Sequence, residues 1–387
     1  MSAAEGVAGG HAPAVISPPR REAAVSQGVG VVALLIAGLQ PVILGAMERE
    51  GRLSTSQIGL AATVELMALG LACGLAAALL KPTHVRPKIA LACLLHAAAM
   101  FVTTLTSGAG VIVTRAAAGA CAGVMLWLAI GVIARASHPE RAAGVFVTVQ
   151  TFAQLVLAAA LPATVMQHWG VNGALTCLAA ISLLASLASL AGPDRLAPLP
   201  KSDEGGRLDA RSIAGLAAVF LWMAFIVALW VYLEPLAAKA GLSPREAGLA
   251  VALALGLQVL GGVAATAVGD RAPPARVLLA LGTVNALILA TLWSGTGRGL
   301  FITCVAAFGF LWLFALPFQT LLLIRIDPTR RASMQLGAAQ LLGSSAGPLA
   351  ASLVVGDGPV RGALILSAAC LALALGLISV LRPKQPA

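Results

Sequence analysis

The chain has 387 residues, 59% of them hydrophobic and 10% charged, with a formal net charge of +10. A soluble domain carries roughly 25% charged residues, so this composition cannot cover a water-facing surface and is that of an integral membrane protein. A hydrocarbon core takes ~20 apolar residues per helix, so twelve spans would use roughly 240 residues and leave no room for a soluble domain.

Residues 1–26 are small and polar, contain Pro13, Pro18 and Pro19, and end near the pair Arg20-Arg21. That composition predicts a disordered tail. The apolar run behind it is about 20 residues long and is followed by others, which predicts an anchor and not a cleaved leader. Apolar runs follow at 27–47, 55–80, 87–106, 109–134, 142–166, 171–192, 213–236, 245–268, 276–294, 299–324, 333–355 and 361–381. They predict twelve membrane helices and an all-α fold. Pro41, Pro162, Pro317 and Pro348 lie inside runs, where helices in lipid tolerate them. The polar stretch 193–212 divides the spans six and six and has the Pro, Gly and mixed-charge composition of a linker. Residues 382–387 form a short tail.

Lysine and arginine set orientation. With the N-terminus inside, eighteen fall on the cytoplasmic side and six on the other, while Arg115 lies within the fourth span. Both termini are therefore expected in the cytoplasm, and the basic excess is a topology signal with no nucleic-acid partner behind it. The six cysteines all sit inside apolar runs without CxxC spacing and read as packing residues. The five histidines offer no metal spacing, and no phosphate-binding loop of the Walker type is present, so neither a cofactor nor ATP chemistry is expected.

The second span opens Leu53-Ser54 and continues Gly59-Leu60-Ala61; the eighth opens Leu242-Ser243 and continues Gly248-Leu249-Ala250, at an offset of 189 residues. Pro139 and Arg141 after span four return at the same offset as Pro328 and Arg330 after span ten. In spans five and eleven the echo slips by three, Gln154 and Pro162 returning as Gln340 and Pro348. Matching spans are six apart and share a direction, which predicts a parallel repeat of two six-helix halves, 27–192 and 213–381.

With this layout in place, the chain resembles the major facilitator superfamily of secondary transporters over about residues 27–381. Two stretches carry the resemblance. Arg115, Gly119 and Gly123 in span four are similar to the family's arginine-then-glycines pattern. Gly262, Gly269, Asp270, Arg271 and Arg276 between spans eight and nine resemble its glycine–aspartate–arginine loop. The matching loop of the first half, Lys81–Lys88, lacks the aspartate, and span five lacks the glycine–proline motif of many drug/proton antiporters. The resemblance implies alternating access by two six-helix halves, with spans one, two, four, five and their repeat partners lining a central cavity. Spans three, six, nine and twelve would face lipid.

Ionisable groups at bilayer depth are costly and usually functional. Glu65 lies about 15 Å into span two and is the leading candidate for a proton-coupling or substrate-binding acid; its repeat position is Ala254. Arg115 needs an anionic partner, which a substrate carboxylate, Glu65 or carbonyls would supply. If the two meet, proton uptake by Glu65 frees Arg115 for an anion, and a coupling role requires that both face the shared cavity. A structural ion pair is the competing reading. Gln40, Gln150, Gln154, Gln258, Gln319 and Gln340 are the polar candidates for substrate contact, each also readable as a link between helices. His96 and Asn285, on spans expected to face lipid, are set below them. Trp127, Trp222 and Trp312 would wall a pocket for an aromatic or apolar solute. Trp230 and Tyr232, near the end of span seven, predict an interfacial belt. Glu234 beside Pro235 reads as an outer-gate or surface acid.

The expected function is secondary transport of a small solute, with proton-coupled uptake of an organic anion or aromatic compound ahead of proton-driven efflux of hydrophobic compounds. A membrane-embedded enzyme or lipid-handling protein is the alternative of another class; it would need a His/Asp/Glu cluster at one membrane face, and the sequence has none. The expected setting is a monomer in the bilayer of a bacterial cytoplasmic membrane, with protons as the coupling ion.

Overall fold

A computed structural model describes residues 19–197, 208–268, 271–295, 297–327, 331–356 and 359–381. Within them the chain forms α1 (Arg20–Arg49), α2 (Thr55–Leu79), α3 (Val85–Thr103), α4 (Ala109–Ile133), α5 (Pro139–Ala163), α6 (Val165–Ser189), α7 (Ala210–Val231), α8 (Leu233–Lys239), α9 (Pro244–Val268), α10 (Pro274–Ser294), α11 (Arg298–Ile326), α12 (Arg331–Met334), α13 (Leu336–Val355) and α14 (Arg361–Val380). Twelve are long and apolar enough to cross a membrane; α8 and α12 are short. The first helix begins at Arg20, inside the stretch expected to be a tail, and most of that tail lies outside the described residues. Half of the linker, residues 198–207, and the whole of the last tail, 382–387, also lie outside them.

Local chemistry explains where the helices start. Ser54 accepts from the Gln57 amide N–H, while the Gln57 side chain accepts from the Ser54 N–H at 3.0 Å, a reciprocal cap at the head of α2. Ser243 and Glu246 repeat it at α9, with Glu246 accepting from the Ser243 N–H at 2.7 Å. These two caps are the sequence echo at offset 189. At α7 the Asp209 carboxylate accepts from the Ser212 N–H at 2.9 Å, and hydrogen bonding from Ser212, its side chain first and its backbone second, holds that carboxyl below the usual range. Gly170, at φ 56°, kinks α6, and Glu50 caps the helix behind it by accepting from the Val171 N–H at 2.8 Å. The kink falls just before residue 171, where the apolar run was expected to begin, while the helix itself starts at Val165.

Span seven differs from its expectation. The helix stops at Val231, Tyr232 leaves helical geometry, and α8 continues after it. Trp230 and Tyr232 are 1% and 0% exposed, so they form no interfacial belt. The Trp230 indole instead donates to the Ala37 carbonyl of α1 at 3.1 Å. Aromatic residues near a span end normally sit among headgroups; here the other half of the molecule covers them.

The loop that lacks the family aspartate is held by other means. Thr83 pairs with Arg195, Arg86 donates to the Gly192 carbonyl at 2.7 Å, and Lys88 donates to the carbonyls of Lys81 and Thr83. The segment after α6 thus closes the loop between α2 and α3, with His84 at φ 51° in the left-handed region at the turn.

The halves meet along two matching seams, α2 against α13 and α5 against α9. Gly59 on α2 lies against the Pro348 carbonyl, Ser352 and the Tyr232 hydroxyl. Its repeat partner, Gly248 on α9, lies against Pro162 and the Ala158 carbonyl, which Pro162 leaves without its usual amide. A side chain at either glycine would push the halves apart. Thr63 adds a 2.9 Å hydrogen bond to the Ser345 carbonyl, and Arg49 pairs with Glu234. All these contacts lie at mid-depth or toward the end that holds α8. Toward the opposite end, where α1 begins and α14 finishes, the glycines have room: a side chain added at Gly70 would only just reach Leu341 (3.9 Å), and Gly144 and Gly337 have nothing within 4 Å. The tight glycine contacts between the halves therefore close the side of the molecule that holds α8.

Candidate functional site

Glu65 and Arg115 meet. They form an ion pair, and both side chains are 0% exposed. The pair exists because α2 and α4 pack at backbone distance: Gly119, one turn after Arg115, lies directly on the Glu65 carbonyl, and Gly123 lies on that of Leu69. Three other helices complete the surroundings. Met100 of α3 takes an Arg115 N–H on its sulfur at 3.1 Å. His96, one turn before Met100, bonds the Ser182 hydroxyl of α6 at 2.8 Å. Gln40 of α1 sits against Glu65, although its own amide has no well-formed hydrogen bond. One Glu65 oxygen (Oε2) and the Arg115 Nε also lack protein partners.

Of the three partners considered for Arg115, the geometry supplies Glu65; both side chains lie in the packed interior of the first half, so the condition set for a coupling role, that both face a shared cavity, is not met in this conformation. A pair of this kind needs both members: taking one away leaves a buried charge and costs about 3–5 kcal/mol. His96 was expected to face lipid and is 2% exposed beside the pair; Asn285 is equally buried and donates to its own helix at Leu281. The spacing of His96 and Met100, one turn apart and level with Arg115, is the sequence signal that places span three at the site.

The remaining candidates divide. Gln154 donates to the Leu34 carbonyl at 2.7 Å and presses on Gly38, which ties α5 to α1. Gln340 donates to Gln319 at 3.1 Å, joining α13 to α11. Gln258 and Gln319 are buried, and each has an amide nitrogen without a protein partner among the described residues; Gln150 is half-buried. Trp222 is 1% exposed with its indole N–H unpartnered, and it stacks edge-on to Phe225 at 5.7 Å. Phe225 continues to Phe308, Phe308 to Trp312, and Trp312 to Trp230. This aromatic ladder bridges α7 and α11. Trp127 is buried on α4, apart from it.

In the loop motif, Arg271 caps α9 through the Ala267 carbonyl at 3.0 Å and Arg276 is exposed in the first turn of α10. Gly262 lies within α9, while Gly269 and Asp270 lie outside the described residues. The cysteines are all free, and no His/Cys/Asp/Glu group suited to a metal occurs among the described residues.

At the α8 face, Arg49, Glu50, Glu234, Arg245 and Gly248 line a cavity of about 300 Å³ between the halves. Glu234 is 3% exposed, so it is no surface acid; it reaches across to Arg49 of the other half.

A profile of the Major Facilitator Superfamily matches residues 28–351, and the chain belongs to that family. It is a membrane transporter by fold and family. No curated protein sequence gives a significant match. Among solved structures, the nucleoside transporter NupG superposes with a TM-score of 0.75 at 12% identity, covering 93% of this chain and 100% of the other. A bacterial homologue of the human lysosomal transporter Spinster, in an inward-facing unoccupied conformation, gives 0.68 at 14% identity over 94% and 97%. The transporter FucP in an outward conformation gives 0.57 at 14% identity over 94% and 99%. At these identities the likeness is one of fold.

Proposed function

We propose that the chain is a proton-coupled secondary transporter that takes up a small organic solute with an aromatic or anionic group, with both termini in the cytoplasm. The observation that carries this reading is the wholly buried Glu65–Arg115 pair with Gln40 beside it. A carboxylate and a guanidinium that neutralise each other are stable at bilayer depth only while both are charged. Protonation of Glu65 releases Arg115, whose charge then seeks another anion or an aromatic face. The unpartnered indole of Trp222 and amides of Gln258 and Gln319 supply polar contacts for a solute held against the aromatic ladder.

Counterflow of labelled aromatic and carboxylate solutes in proteoliposomes, with and without an imposed pH gradient, tests this. The wild type is expected to follow the gradient, and Glu65→Gln to keep exchange but lose the gradient's effect. Uptake by Glu65→Gln that still tracks the gradient would sink the coupling role. Export of hydrophobic compounds is the second reading. The ladder favours it, because Arg115 is already occupied by Glu65; reversing the gradient in the same assay separates the two directions.

A further inference from the structure

Away from the central site, α10 and α14 form a wedge on the lipid-facing side of the second half. The two helices touch closely where Leu375 of α14 lies on Gly282 of α10. From there toward the α8 face they enclose a groove of about 410 Å³, lined by Ala286, Leu289, Ala290, Trp293, Leu364, Ile365, Ala368, Leu371, Ala372 and Leu375. The lining has no charged or hydroxyl side chain, and its alanines make it deep. From Leu364 to Leu375 the groove runs about 16 Å along α14, roughly half of a ~30 Å hydrocarbon core. It is one leaflet deep.

The mouth of the groove is unlike its walls. The Arg361 guanidinium lies over the Trp293 ring at 5.3 Å, and Trp293 itself lines the groove. Arg361 also lines a second, smaller cavity of about 130 Å³ together with Lys239, Leu292, Gly295 and Phe301. Two exposed cations therefore converge directly above an apolar slot, at the depth where headgroups lie. Arg298 stands nearby but is turned to Glu246 at 3.5 Å. An aromatic ring that fixes an arginine at the interface, over a slot for hydrocarbon, matches the two ends of a phospholipid.

We propose that this wedge is a binding site for an anionic phospholipid of the leaflet at the α8 face, with one acyl chain between α10 and α14 and the phosphate between Arg361 and Lys239. The charge at the mouth selects the anionic headgroup, and the length of the slot admits a single chain to mid-membrane. The site is independent of the transport reading, since it shares no residue with Glu65, Arg115 or the aromatic ladder.

Native mass spectrometry of the full chain, delipidated in detergent and titrated with phosphatidylglycerol or with phosphatidylcholine of identical chains, tests it. Phosphatidylglycerol is expected to bind more tightly. Arg361→Gln and Lys239→Gln, both at exposed positions and safe for folding, should each weaken it about fivefold, and together about thirtyfold, at roughly 1 kcal/mol per interfacial cation. Ala368→Leu, which fills the slot and leaves the charges alone, should also expel the lipid; Ala290→Leu repeats that test from the opposite wall if the first variant does not fold. Equal retention of the two lipids would overturn the proposal. So would unchanged phosphatidylglycerol binding in the double charge variant or in the folded filled variant. A dimer that Ala368→Leu dissociates would overturn it too, by assigning the wedge to a second copy of the chain.

Discussion

The two halves build the same helix pair and put different chemistry beside it. In the first, Gly119 of α4 lies on the Glu65 carbonyl; in the second, Gly309 of α11 lies on the Ala254 carbonyl, its repeat position. The residue one turn before each glycine is Arg115 in one half and Val305 in the other, and both are buried. Those two matches on the second helix of the pair stand at offset 190; offset 189 sets Gln40 against Leu229, which is 1% exposed. Three polar residues that gather in the first half are three apolar ones in the second. The backbone approach is therefore common to both halves and does not need the ion pair. The ion pair is an addition to a scaffold that packs without it, which is what a functional charge looks like.

Making one half resemble the other sharpens this. The largest effect is expected from Arg115→Met, which leaves Glu65 charged, buried and alone; thermal unfolding in detergent should show a loss of about 3–5 kcal/mol. The double variant Glu65→Ala with Arg115→Val copies the second half and should recover most of that loss while abolishing any response to a pH gradient. If the double variant is as unstable as the single one, the pair is a structural necessity and the contrast fails. Next comes the link between halves. Arg49→Ala removes a charged contact to Glu234, and about 1.5–3 kcal/mol of preference for the closed α8 face should go with it. A cysteine at Val251, in a cysteine-free background, should then label faster from that side.

Gln40→Leu, again a copy of the second half, removes an amide that has no partner and should leave stability within about 1 kcal/mol of wild type. A change in the pH dependence of transport without a change in melting would mark Gln40 as serving Glu65. The smallest effect is expected at the caps: Glu246→Gln turns the α9 cap into the neutral α2 version and should shift melting barely at all. A large shift there would mean that Glu246 acts through Arg298 and not through the helix start.

Much of this was legible in the chain. The twelve spans and the repeat follow from hydropathy and an offset, and the cost of a lone charge in lipid makes Glu65 one of three partners open to Arg115. Gly59, Gly248, Pro162 and Pro348, first visible as a repeat, proved to be the seams between halves, which no local pattern announces. Trp230 and Tyr232 misled because a span end looks the same whether lipid headgroups or another helix covers it. His96 was set aside on the position of its span, whereas burial is decided side chain by side chain; span three turns one face to lipid and the other to Arg115. The sealing of the pair was beyond sequence altogether, since it depends on how closely α1, α2, α3 and α4 pack around it.

The glycine seams have a consequence for how opening responds to its surroundings. Gly59 and Gly248 hold the closed face by surface fit, with no charge in either contact. Ionic strength therefore has nothing to screen along them. Arg49, whose side chain is 31% exposed where it meets Glu234, is different, because salt reaches it. Added electrolyte should ease the closed face open by weakening that ion pair, and in Arg49→Ala the same titration should run flatter.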